Sequence, residues 1–140
     1  MHEKLLRLLL IGFGLCCSIA VVPFLMPTSW MAACHQWLGL GDFPDAPIVE
    51  YLARMTSGLC ALLGLLALVL ASNVRHYASL IRLLAISLAI LEIINLLYVF
   101  SSAMPTWWIW SDAIGAGGFA IAVLYLQQKI NSDSPVDEPE

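Results

Sequence analysis

The chain has 140 residues, 61% of them hydrophobic and 11% charged, with a mean hydropathy of +0.87. A soluble domain carries about a quarter charged residues, so this composition excludes one and points to an integral membrane protein with room for about four spanning helices. The net charge of -4 is gathered at one end, with Asp133, Asp137, Glu138 and Glu140 close together, and no basic stripe offers a face to nucleic acid.

Leu5 to Met26 is the first predicted span, with Lys4 and Arg7 at its start. Ser18-Ile19-Ala20 has the small-x-small form of a signal-peptide cleavage site, which is the competing reading. The apolar run continues through Met26, longer than a signal core, and favours an uncleaved helix. Pro23 and Pro27 mark its end. Thr28 to Leu40 is too short and too mixed to span. Thr28 or Ser29 is placed to cap a helix there, with Trp30, Ala33, Trp37 and Leu40 on one face. That pattern predicts a short amphipathic helix lying in the membrane interface.

The turn GLGDFPDAP follows, and Asp45 and Pro47 suit the start of the second helix. Ile48 to Ala71 is the second span, with acidic Glu50 in its first turn, where the helix dipole favours it. A polar loop leads to the third span, Leu80 to Phe100, opened by Arg82. Ser101 to Pro105 is a turn, and Thr106 to Gln128 is the fourth span, closed by Lys129. Residues 131–140 read as a disordered acidic tail. Residues 1–130 therefore form one all-α domain, an integral membrane four-helix bundle with one interfacial helix.

Lys4, Arg7, Arg75, Arg82 and Lys129 all fall at the chain ends or in the second loop, and the first and third connections hold no Lys or Arg. The positive-inside rule then puts both termini in the cytoplasm. All five tryptophans collect at the opposite face, as an aromatic belt does.

Arg54 lies deep in the second span, where a guanidinium costs several kcal/mol unless it is paired inside the protein. Counted at about 1.5 Å per residue, Arg54 and Asp112 sit about 9 Å below the outer ends of their helices, and Glu92 about 12 Å. Asn95 is three residues from Glu92, on the same helix face. Small residues flank these positions: Ser57, Gly58 and Ala61 beside Arg54, and Gly115 and Ala116 beside Asp112. Such residues let helices approach closely in lipid. The expectation is one polar cluster of Arg54, Glu92, Asn95 and Asp112 near the outer face, serving as a binding or proton-handling site. The competing reading is a network that only fixes helix register, with Glu50 pairing Arg54 at the i,i+4 spacing.

Cys16 and Cys17 lie together in the first span, Cys60 in the second, and Cys34 in a connection. Four scattered cysteines do not make a disulfide framework. The Cys16-Cys17 pair resembles that of small mercury-transport membrane proteins, but Pro23 follows at a distance and no second pair completes a relay. His2, His35 and His76 lie outside the spans, no nucleotide, phosphate-loop or hydrolase motif is visible, and no cofactor is expected.

Leu52 to Ala71, LARMTSGLCALLGLLALVLA, places Gly58 four residues after Arg54 and Gly64 six further on. This stretch, with the basic loop and Leu80-Ile81-Arg82, resembles the DoxX-like group of small four-helix bacterial membrane proteins. The resemblance implies a bacterial inner-membrane subunit, with a few members tied to respiratory or sulfur redox chemistry. The functional expectation is a non-enzymatic membrane subunit or an apolar-ligand binder, with a lipid or quinone as ligand and a membrane protein or a second copy as partner. The alternative is a small transporter or redox-associated component moving protons, or a soft metal through Cys16 and Cys17.

Overall fold

The computed structural model describes residues 1–99 and 104–133, which are helical or in connecting turns. Four stretches are long and apolar enough to cross a membrane: His2–Leu25, Pro47–Ser72, Ala78–Val99 and Thr106–Ser132. They fall where the hydropathy pattern predicts them. The fourth continues through Asn131 and Ser132, so helix replaces the start of the expected tail. Most of the turn expected at Ser101–Pro105, and residues 134–140 of that tail, lie outside the described residues.

The first span is not one straight helix. It divides into α1 (His2–Ser18) and α2 (Val21–Leu25). Pro23 has no N–H to give the Ile19 carbonyl, and its ring crowds that oxygen. Ile19 accepts instead from the Val22 N–H at 2.9 Å, a tighter turn that bends the chain. Pro27 then ends α2, and α3 (Thr28–Trp37) begins at once. The expected cap is absent: Pro27 occupies the capping position, Thr28 is already helical, and no side chain caps the first turn. Leu40 falls beyond the end of α3, after Gly39, whose φ of 73° suits glycine alone. Trp30 and Trp37 are exposed while Met31 between them is buried.

Two further long helices follow, α4 (Pro47–Ser72) and α5 (Ala78–Val99). Pro47 sits in the first turn of α4, where a missing N–H costs nothing. Ala46, not Asp45, precedes it as the cap residue. The last span is α6 (Thr106–Asp112), a π-helical turn (Ala113–Gly117) and α7 (Gly118–Ser132).

α1 packs on α4 and on α7, and α7 packs on α5. α4 and α5, consecutive in sequence, have little direct contact. Their connection holds them together only where Leu70, Ala71 and Ile81 meet Leu6, Leu10, Val123 and Leu126 in one core. That core lies at the end of the molecule carrying both termini. An ion pair from Arg75 to Glu3 and a 3.0 Å contact from His2 to Asp133 fasten the same end. Away from it the helices form two groups, α1, α2 and α4 on one side, joined by α3 through Thr28, and α5, α6 and the π-turn on the other. The Phe13 and Phe119 rings, stacked at 3.9 Å, join α1 to α7 between them.

Leu62, Leu65, Val69, Leu83, Ile90 and Leu91 are each more than half exposed. Such a surface on consecutive long helices, with backbone hydrogen bonds closed within each helix, suits acyl chains and not water.

Candidate functional site

The residues expected to form one cluster occupy two separate places. Arg54 is half-buried on α4 and turns toward α2 and α3. Its Nε and Nη2 donate to Glu50 Oε1 at 3.0 and 2.9 Å, and Nη1 donates to the Phe24 carbonyl at 2.9 Å. Thr28 Oγ1 donates to the same Glu50 oxygen at 2.7 Å and lies 3.4 Å from Arg54 Nη2. Phe24 is in the last turn of α2, whose carbonyls lack helical partners, so the guanidinium closes that helix end. The Phe24 ring lies over Gly58, where an added Cβ would come within 3.1 Å of it. Arg54 and Gly58, one turn apart, thus grip the backbone and the ring of one residue. This is a lock for the α2–α3 corner, and the guanidinium is satisfied within it.

The carboxylates of the other group do not face Arg54. Depth in the membrane is set by position along a helix, but a partner is set by the direction the side chain takes around it. α4 presents Arg54 to α2, while α5 presents its polar face to α6 and the π-turn.

Asn95 Nδ2 donates to Asp112 Oδ2 at 2.6 Å, tying α5 to the end of α6. Glu92, one turn away on the same face as expected, is only 7% exposed, and its Oε1 has no hydrogen-bond partner among the described residues. Opposite it stands Gly117, where a Cβ would sit 3.5 Å from Glu92 Cγ. The π-turn sets this arrangement. Its extra residue per turn shifts the phase, so Gly115 is exposed and Gly117 instead meets Glu92. A regular helix places Gly115 on the Asp112 face, as the sequence spacing led us to expect. The Gly115-Ala116-Gly117-Gly118 run was the available signal for an irregular turn.

Cys16 is exposed and Cys17 half-buried, so neighbouring thiols take different directions. Among the described residues, no three His, Cys, Asp or Glu side chains gather as metal ligands.

The chain matches no protein-family model, no curated protein and no solved structure.

Proposed function

We propose that this chain is a non-enzymatic, multi-pass membrane protein that binds an apolar, hydroxyl-bearing ligand between α5 and the α6–π–α7 helix. The observation that carries the reading is Glu92 Oε1, buried and without a partner beside a glycine-rich π-turn. An unpartnered buried oxygen is destabilising, and π-turns recur at functional sites. Ionisable groups inside a membrane most often mark such sites. A hydroxyl both donates and accepts, so it serves a carboxyl in either protonation state. Asn95 and Asp112 hold each other and fix the wall against which the ligand rests. A hydroxyl-bearing lipid or a quinol has this chemistry, which agrees with the DoxX-like resemblance of Leu52 to Ala71.

The test is Glu92→Leu, which has similar volume and no orphan oxygen. Once both proteins have been stripped of co-purifying apolar molecules, its thermal midpoint should equal or exceed that of the wild type, since removing an unpaired polar group is close to neutral, within about 1 kcal/mol. Protein purified in mild detergent should carry an apolar molecule, visible by mass spectrometry of its organic extract, that the variant lacks. A lower midpoint for Glu92→Leu makes Glu92 structural, and identical extracts refute the ligand site. Loss of a co-purifying membrane protein in place of a small molecule reassigns the site to a partner helix.

We propose further that the spans form a four-helix bundle with both termini in the cytoplasm of a bacterial inner membrane. The support is the collection of Lys4, Arg7, Arg75, Arg82 and Lys129 at one end. In this frame α3, with Trp30 and Trp37 exposed, lies in the outer interface. A reporter fused after Lys129 should be active inside the cell, and activity outside reverses the orientation.

A further inference from the structure

At the end carrying both termini, a recess of about 210 Å³ opens between α7, the start of α5 and the α4–α5 connection. Its lining joins two cations, Arg75 and Arg82, to the apolar side chains of Leu6, Val74 and Ile130. Gln127 completes it. This amide is 5% exposed, and its Nε2 donates to the Ala78 carbonyl at 2.7 Å. Its Oε1 is buried without a donor among the described residues. Arg75 shares its charge with Glu3, whereas no ion pair or hydrogen bond among the described residues engages Arg82. A second recess on the α5–α7 seam, lined by Arg82, Leu124, Gln128, Asn131 and Ser132, shares Arg82 and Asn131 with the first.

We propose that this recess binds the headgroup of an anionic phospholipid whose headgroup also carries a hydroxyl. The phosphodiester lies against Arg82 and Arg75, the hydroxyl donates to Gln127 Oε1, and an acyl chain follows the seam past Leu124. Three features select this chemistry. Two guanidiniums lining a small recess match a phosphate, for which arginine offers forked donors. The orphan acceptor at Gln127 calls for a donor beyond the phosphate, which a glycerol headgroup supplies and a simple ester does not. The apolar lining and seam distinguish a lipid from a free anion, because inorganic phosphate gains nothing from them. Basic pockets between spanning helices at the positive end of a membrane protein hold headgroups in this way. The site is separate from the Glu92 site, which lies ten residues beyond Arg82 along α5.

The experiment uses the full chain in detergent, with its thermal midpoint followed as lipid is added. The probes are dioleoyl phosphatidylglycerol, dioleoyl phosphatidylmethanol, dioleoyl phosphatidylcholine and inorganic phosphate. Phosphatidylglycerol should stabilise most, phosphatidylmethanol less, and phosphatidylcholine little. Each cation near a membrane surface contributes about fivefold in affinity, so Arg82→Gln should weaken phosphatidylglycerol by about that factor. Gln127→Met should erase the difference between phosphatidylglycerol and phosphatidylmethanol while leaving both ahead of phosphatidylcholine. Equal effects of phosphatidylglycerol and phosphatidylcholine, or an unchanged response in Arg82→Gln, overturn the proposal. A shift with inorganic phosphate as large as with the lipid assigns the recess to a free anion and overturns it too. If Arg82→Gln fails to fold, Arg82→Lys keeps the charge without the fork and should show a reduced but measurable preference.

Discussion

Gly64→Leu should abolish the folded protein, and Gly64→Ala should destabilise it by about 1–3 kcal/mol. α1 and α4 form the most extensive helix pair among the described residues, and their backbones meet at Gly14 and Gly64. A Cβ added at Gly64 would lie 2.6 Å from the Gly14 carbonyl oxygen and from the backbone nitrogen and Oγ of Ser18. These are mostly backbone atoms, which cannot swing aside. Ser18 turns its hydroxyl back to the Gly14 carbonyl at 2.7 Å, so its polar atom is satisfied within α1 while it lies against Gly64 of α4. In lipid no hydrophobic force draws helices together, so close backbone contact supplies much of the association. Leucine at Gly64 separates α1 from α4 and removes that contact along the whole seam. Size-exclusion profiles and thermal midpoints in detergent measure the effect. Gly12→Ala is the control, since a Cβ there meets nothing within 4 Å. A Gly64→Leu protein eluting and melting like wild type would falsify the close crossing.

Arg54→Leu should lower the thermal midpoint, and its loss should couple to Glu50 and not to Glu92. The guanidinium donates to the Phe24 carbonyl and contacts Thr28, on the two helices it fastens to α4. Interhelical hydrogen bonds in membranes average about 0.6 and reach about 1.7 kcal/mol, so losing these two contacts costs about 1–2 kcal/mol. Leucine also leaves Glu50 without its cation, although Thr28 still donates to it. Adding Glu50→Gln should therefore restore part of the midpoint. Adding Glu92→Gln should be additive, as for residues with no shared partner. The single cluster expected from the sequence would instead couple Arg54 to Glu92, because the sequence places Arg54 at the depth of the carboxylates. Rescue through Glu92 would contradict the division of the polar residues into two groups.

How much of the site could be read from the sequence differs between its two halves. The i,i+4 spacing of Glu50 and Arg54 is local to one helix and predicts their pairing directly, as the competing reading held. The Asn95–Glu92 face is equally local, and both residues do face the same neighbour. Phe24 as the third member of the Arg54 lock carries no sequence signal, because its contribution is a backbone carbonyl. Any residue in that place would offer the same atom. The Arg54…Gly58 spacing acquires its meaning only once Phe24 is seen to lie across both.

What the sequence by itself determined is the class, the four spans, their polar faces and the end at which the positive charges gather. These follow from transfer free energies that act residue by residue along one helix, so they need no partner to be evaluated. Tertiary structure alone decided which helices are neighbours. α1 inserts beside α4 because Gly14, Gly64 and the folded-back Ser18 remove the bulk between them, and this keeps α4 apart from most of α5. It also decided the phase of the last span, where one extra residue in the π-turn brings Gly117, not Gly115, against Glu92. Both outcomes depend on rotation about a helix axis and on the shape of the facing surface. In lipid that shape, more than hydrophobicity, selects the neighbour.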